Sequence, residues 1–356
     1  MAAEPMAAAE PMAAFEPEIR ARSSEPRPFW LALLLPIGIA LIFIGTKTLN
    51  GTTAEIRVLL VLVGIVAAYL GLDAACQKRW GAGFDTSAWL SGIWLVMIGL
   101  SAITVSWLPL PESKLVKNSF GEGLRLRPDL FSRHPFGTNS QELDILGGVM
   151  WGARTSLIIS LGAVAIGILI GGVIGIAAGY FRGSLDTGVG ILADSLLAFP
   201  PLILLVAVAT VFTQNQWTMA LELSLLGIPT YIRLSRANTL TFAQREFVLA
   251  AKAMGSDNRR VIFRELMPNV ALPLASYAFL VTAVLIVAEA SLSFLGVGIQ
   301  PPEPTWGNMI RGGFERFQDH PHIVFVPGIV MFMTVFALNR IGDKARERWD
   351  PRETQL

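Results

Sequence analysis

Two carboxylates, Glu222 and Glu289, stand in stretches of sequence that are otherwise largely apolar. A carboxylate held away from water binds a proton, a cation or the ammonium of a solute, because desolvation makes its isolated charge costly. Both are therefore candidates to touch whatever this chain handles. The other reactive side chains are sparse. His134, His320 and His322 read as solvated loop histidines, and Cys76, the single cysteine, cannot form an intramolecular disulfide. No group of His and Cys has the spacing of a metal site, so none is expected. Gly45-Thr46-Lys47-Thr48 lacks the upstream glycine and the strand of a phosphate-binding loop. No nucleophile, acid and base converge, so no catalytic residue is expected.

The elements that must position these groups are apolar helices. The chain is 53% hydrophobic and 15% charged, where soluble domains carry about 25% charged residues. Residues 155–181 contain no Asp, Glu, Lys, Arg or His, and 86–111, 195–221 and 266–288 are similar. About 20 apolar residues cross the hydrocarbon as a helix, and inside lipid only helices and closed barrels satisfy their backbone groups. The alternation of a barrel strand is missing. The reading is an all-α integral membrane protein with eight spans, at 29–46, 57–73, 88–108, 154–180, 193–213, 217–235, 268–290 and 322–341.

Residues 1–28 repeat an Ala-Glu-Pro pattern (AAEPM, AAAEPM, AAFEP) and read as a disordered cytoplasmic tail. Their acidic start is unlike a secretory signal. Most of the 28 Lys and Arg residues fall on one side, at 20–27, 78–79, 182, 233–264 and beyond 339. The positive-inside rule places that side, with both termini, in the cytoplasm. The net charge of +1 gives no reason to expect nucleic acid. Segment 109–153 is then the outer loop and 236–267 the large inner one. Gly167, Gly171, Gly175 and Gly179 recur every four residues and predict a close helix–helix seam.

The inner segment reads QREFVLAAKAMGSDNRRVIFRELMPN over 244–269. Phe247, Ala250, Ala251 and Met254 share one face of a helix. Gly255 follows where a left-handed stop is wanted, and Ser256 or Asp257 can cap a second short helix bearing Val261, Ile262 and Leu266. Pro268 closes that unit and opens the next span. The expectation is two short amphipathic helices at a bend, suited to the groove of another protein.

Glu246, Ala250-Ala251 and, after three more residues, Gly255 resemble the EAA loop of ABC importer permeases. The flanking text is similar to the C-type subunit of the dipeptide/oligopeptide/nickel permeases. It carries HPFGT at 134–138, GARTSL at 152–157, AGYFRGSLD at 178–186, LLAFPPLIL at 196–204, EFVLAAKAMG at 246–255, AEASLSFLGVGIQPPEPTWGNM at 288–309 and DPR at 350–352. The resemblance covers roughly 134–353. It implies a six-helix type I importer core from residue 88 onward, so that 29–87 is an added hairpin outside the core. It also implies partners. These are a B-type permease, two ATPase subunits that bind ATP and Mg, an extracytoplasmic solute-binding protein, a peptide substrate and the bacterial cytoplasmic membrane.

On the same footing, Glu246 through Pro268, Ile262 included, map to the segment that docks on the ATPase. Glu289, with Ser293 and Phe294 in its block, and Glu222 are the candidates for the translocation pathway. The family often reads GTDxxGRD in the outer segment. Here Gly137 and Thr138 are followed by Asn139, Glu142-Leu143 replace Gly-Arg, and Asp144 is the match.

Overall fold

The computed structural model describes residues 29–44, 54–81, 83–108, 110, 123–129 and 132–349. The expected tail 1–28, the middle of the outer segment and DPR at 350–352 lie outside them. The chain divides into two compact units, one through Leu90 and one from Ser91.

In the first unit a 3-10 turn, Phe29–Leu33, leads into α1 (Leu34–Phe43), and α2 spans Ala54–Trp80. The two pack backbone on backbone, since a Cβ at Gly38 would lie 2.4 Å from the Ala68 nitrogen. The apolar stretch Leu59–Trp80 is long enough to span a membrane, so the span expected at 57–73 reaches further than its charge pattern implied. Leu31–Phe43, within the span expected at 29–46, is shorter than a membrane-crossing helix.

α3 (Thr86–Thr104) crosses the division between the units. The second unit then holds α4 (Ile145–Gly167), a π-helical turn Ile168–Gly172, and α5 (Val173–Phe181). These three run as one 37-residue helix, so the span expected at 154–180 starts nine residues earlier, at Ile145. α6 (Gly183–Ala198) and α7 (Pro201–Ala209) follow. The expected span 193–213 is therefore a broken pair, bent by 87°. The break has a local cause. Pro200 forbids the helical conformation to Phe199, which sits at φ −76° and ψ 136°.

α8 (Gln216–Phe242) starts at a capping box, where the Asn215 side chain accepts from the Trp217 and Thr218 amides. It is 27 residues long but less apolar than the other spanning helices, because it carries Glu222, Arg233 and Arg236. α9 (Glu246–Ala253) and α10 (Asn258–Arg260) form the inner segment, and a π-helical turn, Val261–Leu266, runs into α11 (Met267–Leu295). α12 (Trp306–Phe314) and α13 (His322–Trp349) complete the unit. Among the described residues, five helices are long and apolar enough to span, or six with the bent pair. The other two expected spans, α1 and α8, fall outside this count because the described part of α1 is short and α8 carries Glu222, Arg233 and Arg236.

The core explains why α8 can be polar. Its glycine-facing side lies on α4 and α5, running parallel to them. A Cβ on Gly171 would meet the Ile228 carbonyl at 2.5 Å, and one on Gly175 would meet the Ile232 carbonyl at 2.4 Å. The four-residue glycine repeat thus forms the close seam its spacing predicts. Around the seam Ile159, Leu205, Met219, Leu223, Tyr231, Leu274 and Leu285 form one buried apolar cluster. α8 is the central helix of the unit, and its neighbours supply what lipid cannot.

Candidate functional site

The inner segment starts directly below α8. α9 opens on Glu246 in its first turn, where a carboxylate suits the positive helix end. It ends in a Schellman turn. The Ser256 amide donates to the Ala251 carbonyl at 3.0 Å and the Gly255 amide to Lys252 at 2.9 Å. Gly255 has φ +82°, with open space where a Cβ would stand. Asp257 then caps the next turn, accepting from the Arg260 amide at 3.2 Å. The expected second short helix is not a separate piece. The chain is helical without a sharp bend from Asn258 to Leu295. Pro268 opens α11, as expected, without interrupting the helix, because the π-turn before it accommodates the missing N–H.

Val248, Ala251, Val261 and Leu266 are the buried side of this segment. They pack with Phe242, Ala243, Ile262 and Tyr180 at the ends of α8 and α5. Of the expected apolar face, Ala251 turns inward, while Phe247, Ala250 and Met254 are exposed, Met254 to 80%. Leu249 and Phe263 are exposed beside them. Tyr180 braces both halves. Its hydroxyl donates to Asn258 Oδ1 at 2.7 Å, and the Lys252 ammonium lies 4.8 Å from its ring centroid. Tyr180 belongs to the AGYFRGSLD block but carried no signal of its own, since its partners lie more than seventy residues on.

Glu289 is sealed inside the subunit, with Ser293 beside it. Ser156 donates to its Oε2 at 2.8 Å and Ser293 to its Oε1 at 2.7 Å. The carboxyl group thus ties α4 to α11, with Thr305, the cap of α12, close by. Glu289 and Ser293, named above as pathway candidates, have almost no exposed surface in this subunit. Phe294 is half-buried, its ring edge-on to Phe314 at 5.4 Å. Glu222 is buried too, rather than at an interface, and accepts from Gln214 Nε2 at 3.0 Å.

At the far end of α4 the outer loop forms a clasp. Asp144 caps α4, accepting from the Gly147 amide at 2.7 Å, and its other oxygen lies 3.1 Å from His134 Nδ1. Both side chains are buried, so His134 is not the solvated loop histidine expected from its position. Gly137 (φ +79°) admits the Leu126 carbonyl where a Cβ would stand. Thr138 is fully buried, donating to the Gly123 carbonyl at 2.6 Å and accepting from the Leu126 amide at 2.9 Å. Asn139 accepts from the Gln141 and Leu143 amides. The altered outer motif therefore builds a self-consistent turn. Beside it a cavity of about 410 Å³ opens between Asn139–Asp144 and Pro301–Pro304. Replacing Asp144 with alanine should cost the protein about 1–2 kcal/mol, the worth of a cap plus a charged partner. Thermal unfolding in detergent should show the loss, and Asp144→Asn should recover part of it.

Two ion pairs escaped the reading of the sequence. Arg236 forms a bidentate pair with Asp186, the second bond 2.7 Å long, and Arg233 Nη2 reaches Asp194 Oδ1 at 2.5 Å. Both link α6 to α8. The eight-residue spacing of the aspartates and three-residue spacing of the arginines was a usable signal, since it puts each pair on one helix face. None of these groups is arranged for bond making or breaking. The unit supplies a packed bundle, an exposed apolar face on the inner segment and a polar lateral surface.

Comparison with known proteins agrees with this picture. Residues 167–354 match the family described as binding-protein-dependent transport system inner membrane component. The glutathione transport system permease protein GsiD of Pectobacterium atrosepticum is 32% identical over 228 residues, 64% of this chain and 76% of its own. The dipeptide transport system permease protein DppC of Alkalihalophilus pseudofirmus is 33% identical over 221 residues, 62% of this chain and 73% of its own. The glutathione transport permease of Escherichia coli O6:K15:H31 is 32% identical over 266 residues, 74% and 86% of the two chains. The matched region contains α8, the inner segment and α11, which hold the candidate site, and the chain accordingly belongs to the family of binding-protein-dependent transport system inner membrane components.

Proposed function

We propose that this chain is the C-type permease subunit of a peptide importer in a bacterial cytoplasmic membrane. It pairs with a B-type permease, stands on two ATPase subunits that bind ATP and Mg, and receives di- or oligopeptides from an extracytoplasmic binding protein. Both termini face the cytoplasm. The observation that carries the reading is the exposed apolar row Phe247, Ala250 and Met254, held at a fixed angle by Gly255 and Tyr180. A membrane protein leaves such a row bare outside its spans when another protein covers it. Glu246, at the head of the row, is placed to meet a basic group of the ATPase. Relatives named for dipeptide and glutathione transport support a peptide cargo.

The test is uptake of a radiolabelled dipeptide into proteoliposomes holding this chain, its genomic neighbours and the loaded binding protein. Uptake should require ATP and every subunit. Uptake by this chain with ATP omitted would overturn the proposal.

A further inference from the structure

We infer that the face shared by α6 and α8, marked by Asp186, Asp194, Arg233 and Arg236, lines the water-filled pathway. There it meets the charged termini of the passing peptide. The assignment rests on the importer reading above and adds to it a place where cargo touches this subunit.

The first step concerns depth. α8 lies parallel to α4 and α5, with Gly171 against Tyr231 and Gly175 against Ser235. Arg233 and Arg236 therefore stand level with residues 171–179, the inner end of the charge-free stretch 155–181. The second step concerns exposure. The side chains of Arg233 and Asp194 are 58% and 67% exposed, and that of Arg236 40%. Along α6 Ala193 is the one fully buried residue, so the subunit itself covers little of this helix.

A charge turned towards hydrocarbon is costly, most of all at the helix centre, and such residues instead face a bundle interior or water. Glu222 and Glu289 take the first course; Arg233, Asp194 and Arg236 take the second, with Asp186 partly buried against Arg236. The surface is also shaped. A cavity of about 570 Å³ is lined by Asp186, Thr187, Asp194, Arg233 and Arg236, and one of about 450 Å³ by Leu197, Thr230, Arg233, Ala237 and Tyr277. Arg233 belongs to both. A free peptide is a zwitterion with apolar side chains between its charges. Aspartates for its ammonium, arginines for its carboxylate and an apolar recess at Leu197 and Tyr277 match that chemistry. Exposed ion pairs are worth about 0–1 kcal/mol, so they exchange partners readily and release what they hold.

The test uses the complete transporter in a Cys76→Ser background, labelled in inside-out vesicles and then assayed for uptake in proteoliposomes with loaded binding protein. Cysteines replace Arg233, Asp194 and, to keep every charge in place, Thr187 and Ala237. The probe is a membrane-impermeant sulfonated methanethiosulfonate. All four cysteines should react in the assembled complex, and the modification should abolish peptide uptake. Cysteines that react in the isolated subunit but are covered in the complex would make this face a permease–permease contact and overturn the assignment. Reaction that leaves uptake intact would overturn it too. Labelling is read without cargo, so a parent complex that imports no peptide counts against the importer reading alone.

Discussion

Replacing Gly175 with leucine should leave the subunit unable to assemble, with its level in the membrane reduced several-fold. A Cβ at this position would lie 1.9 Å from Ser235 Oγ, 2.4 Å from the Ile232 carbonyl and 3.1 Å from the Arg236 nitrogen. Two of those three atoms are backbone in the middle of α8, so no rotamer change relieves the clash, and the helices must part. Overpacking of this kind costs about 1–3 kcal/mol for added methylenes alone, and a loss of that size changes cellular abundance several-fold. Parting α5 from α8 also strips the Ser235 hydroxyl, bonded to the Tyr231 carbonyl at 2.7 Å, of its tight surroundings. Gly99→Leu is the comparison, because nothing lies within 4 Å of a Cβ there. It should accumulate like the parent on a quantitative membrane blot. Equal levels for both variants would show that the seam opens at little cost.

The second large effect should come from Gly255. Here space is not the obstacle, since a Cβ would meet nothing; the backbone is. At φ +82° a residue with a Cβ is strained by roughly 1 kcal/mol or more, and a β-branched one by more again. Gly255→Val should relax by turning α9 away from the helix that starts at Asn258, which moves Phe247 and Met254 off their present face. The bundle above does not depend on this turn, so the variant should insert and pair normally. Stimulation of ATP hydrolysis by loaded binding protein should fall about tenfold, the scale of an ordinary coupling free energy between sites. Gly255→Asn, which tolerates the left-handed region, should keep most of it. Glu246→Lys should mimic Gly255→Val by placing a cation at the positive start of α9. Full stimulation in both Gly255→Val and Glu246→Lys would remove the segment from coupling.

The sequence was most legible where a single helix face carried the signal. The glycine repeat from Gly167 to Gly179, the stop at Gly255 and the cap at Asp257 are local features, set by φ, ψ and spacing, and the structure shows each of them. What could not be read was partnership across the chain. Glu289, an intramembrane carboxylate, has no visible partner in one dimension. Ser156, 133 positions away, satisfies it. His134 looked solvated for the same reason, although Asp144 waits ten residues on. α8 looked like one more span, yet Glu222, Arg233 and Arg236 leave it without an apolar stretch long enough to count as one. Pro268 does mark the start of α11, but the π-turn before it lets the helix run on, which its residue type alone does not announce.

That continuity has a mechanical consequence. From Asn258 to Leu295 the chain is a helix of 38 residues with no sharp bend, about 57 Å long at the usual rise. A rod of that length pivoting by about 10° at its middle carries each tip through about 5 Å. One tip is held by Tyr180 beneath the bundle. Near the other, Glu289 is locked to Ser156. A stroke delivered at Asn258 therefore arrives at the Glu289 latch as a sideways shear of comparable size, less what the π-helical turn at Val261–Leu266 and the kink-prone Pro273 take up.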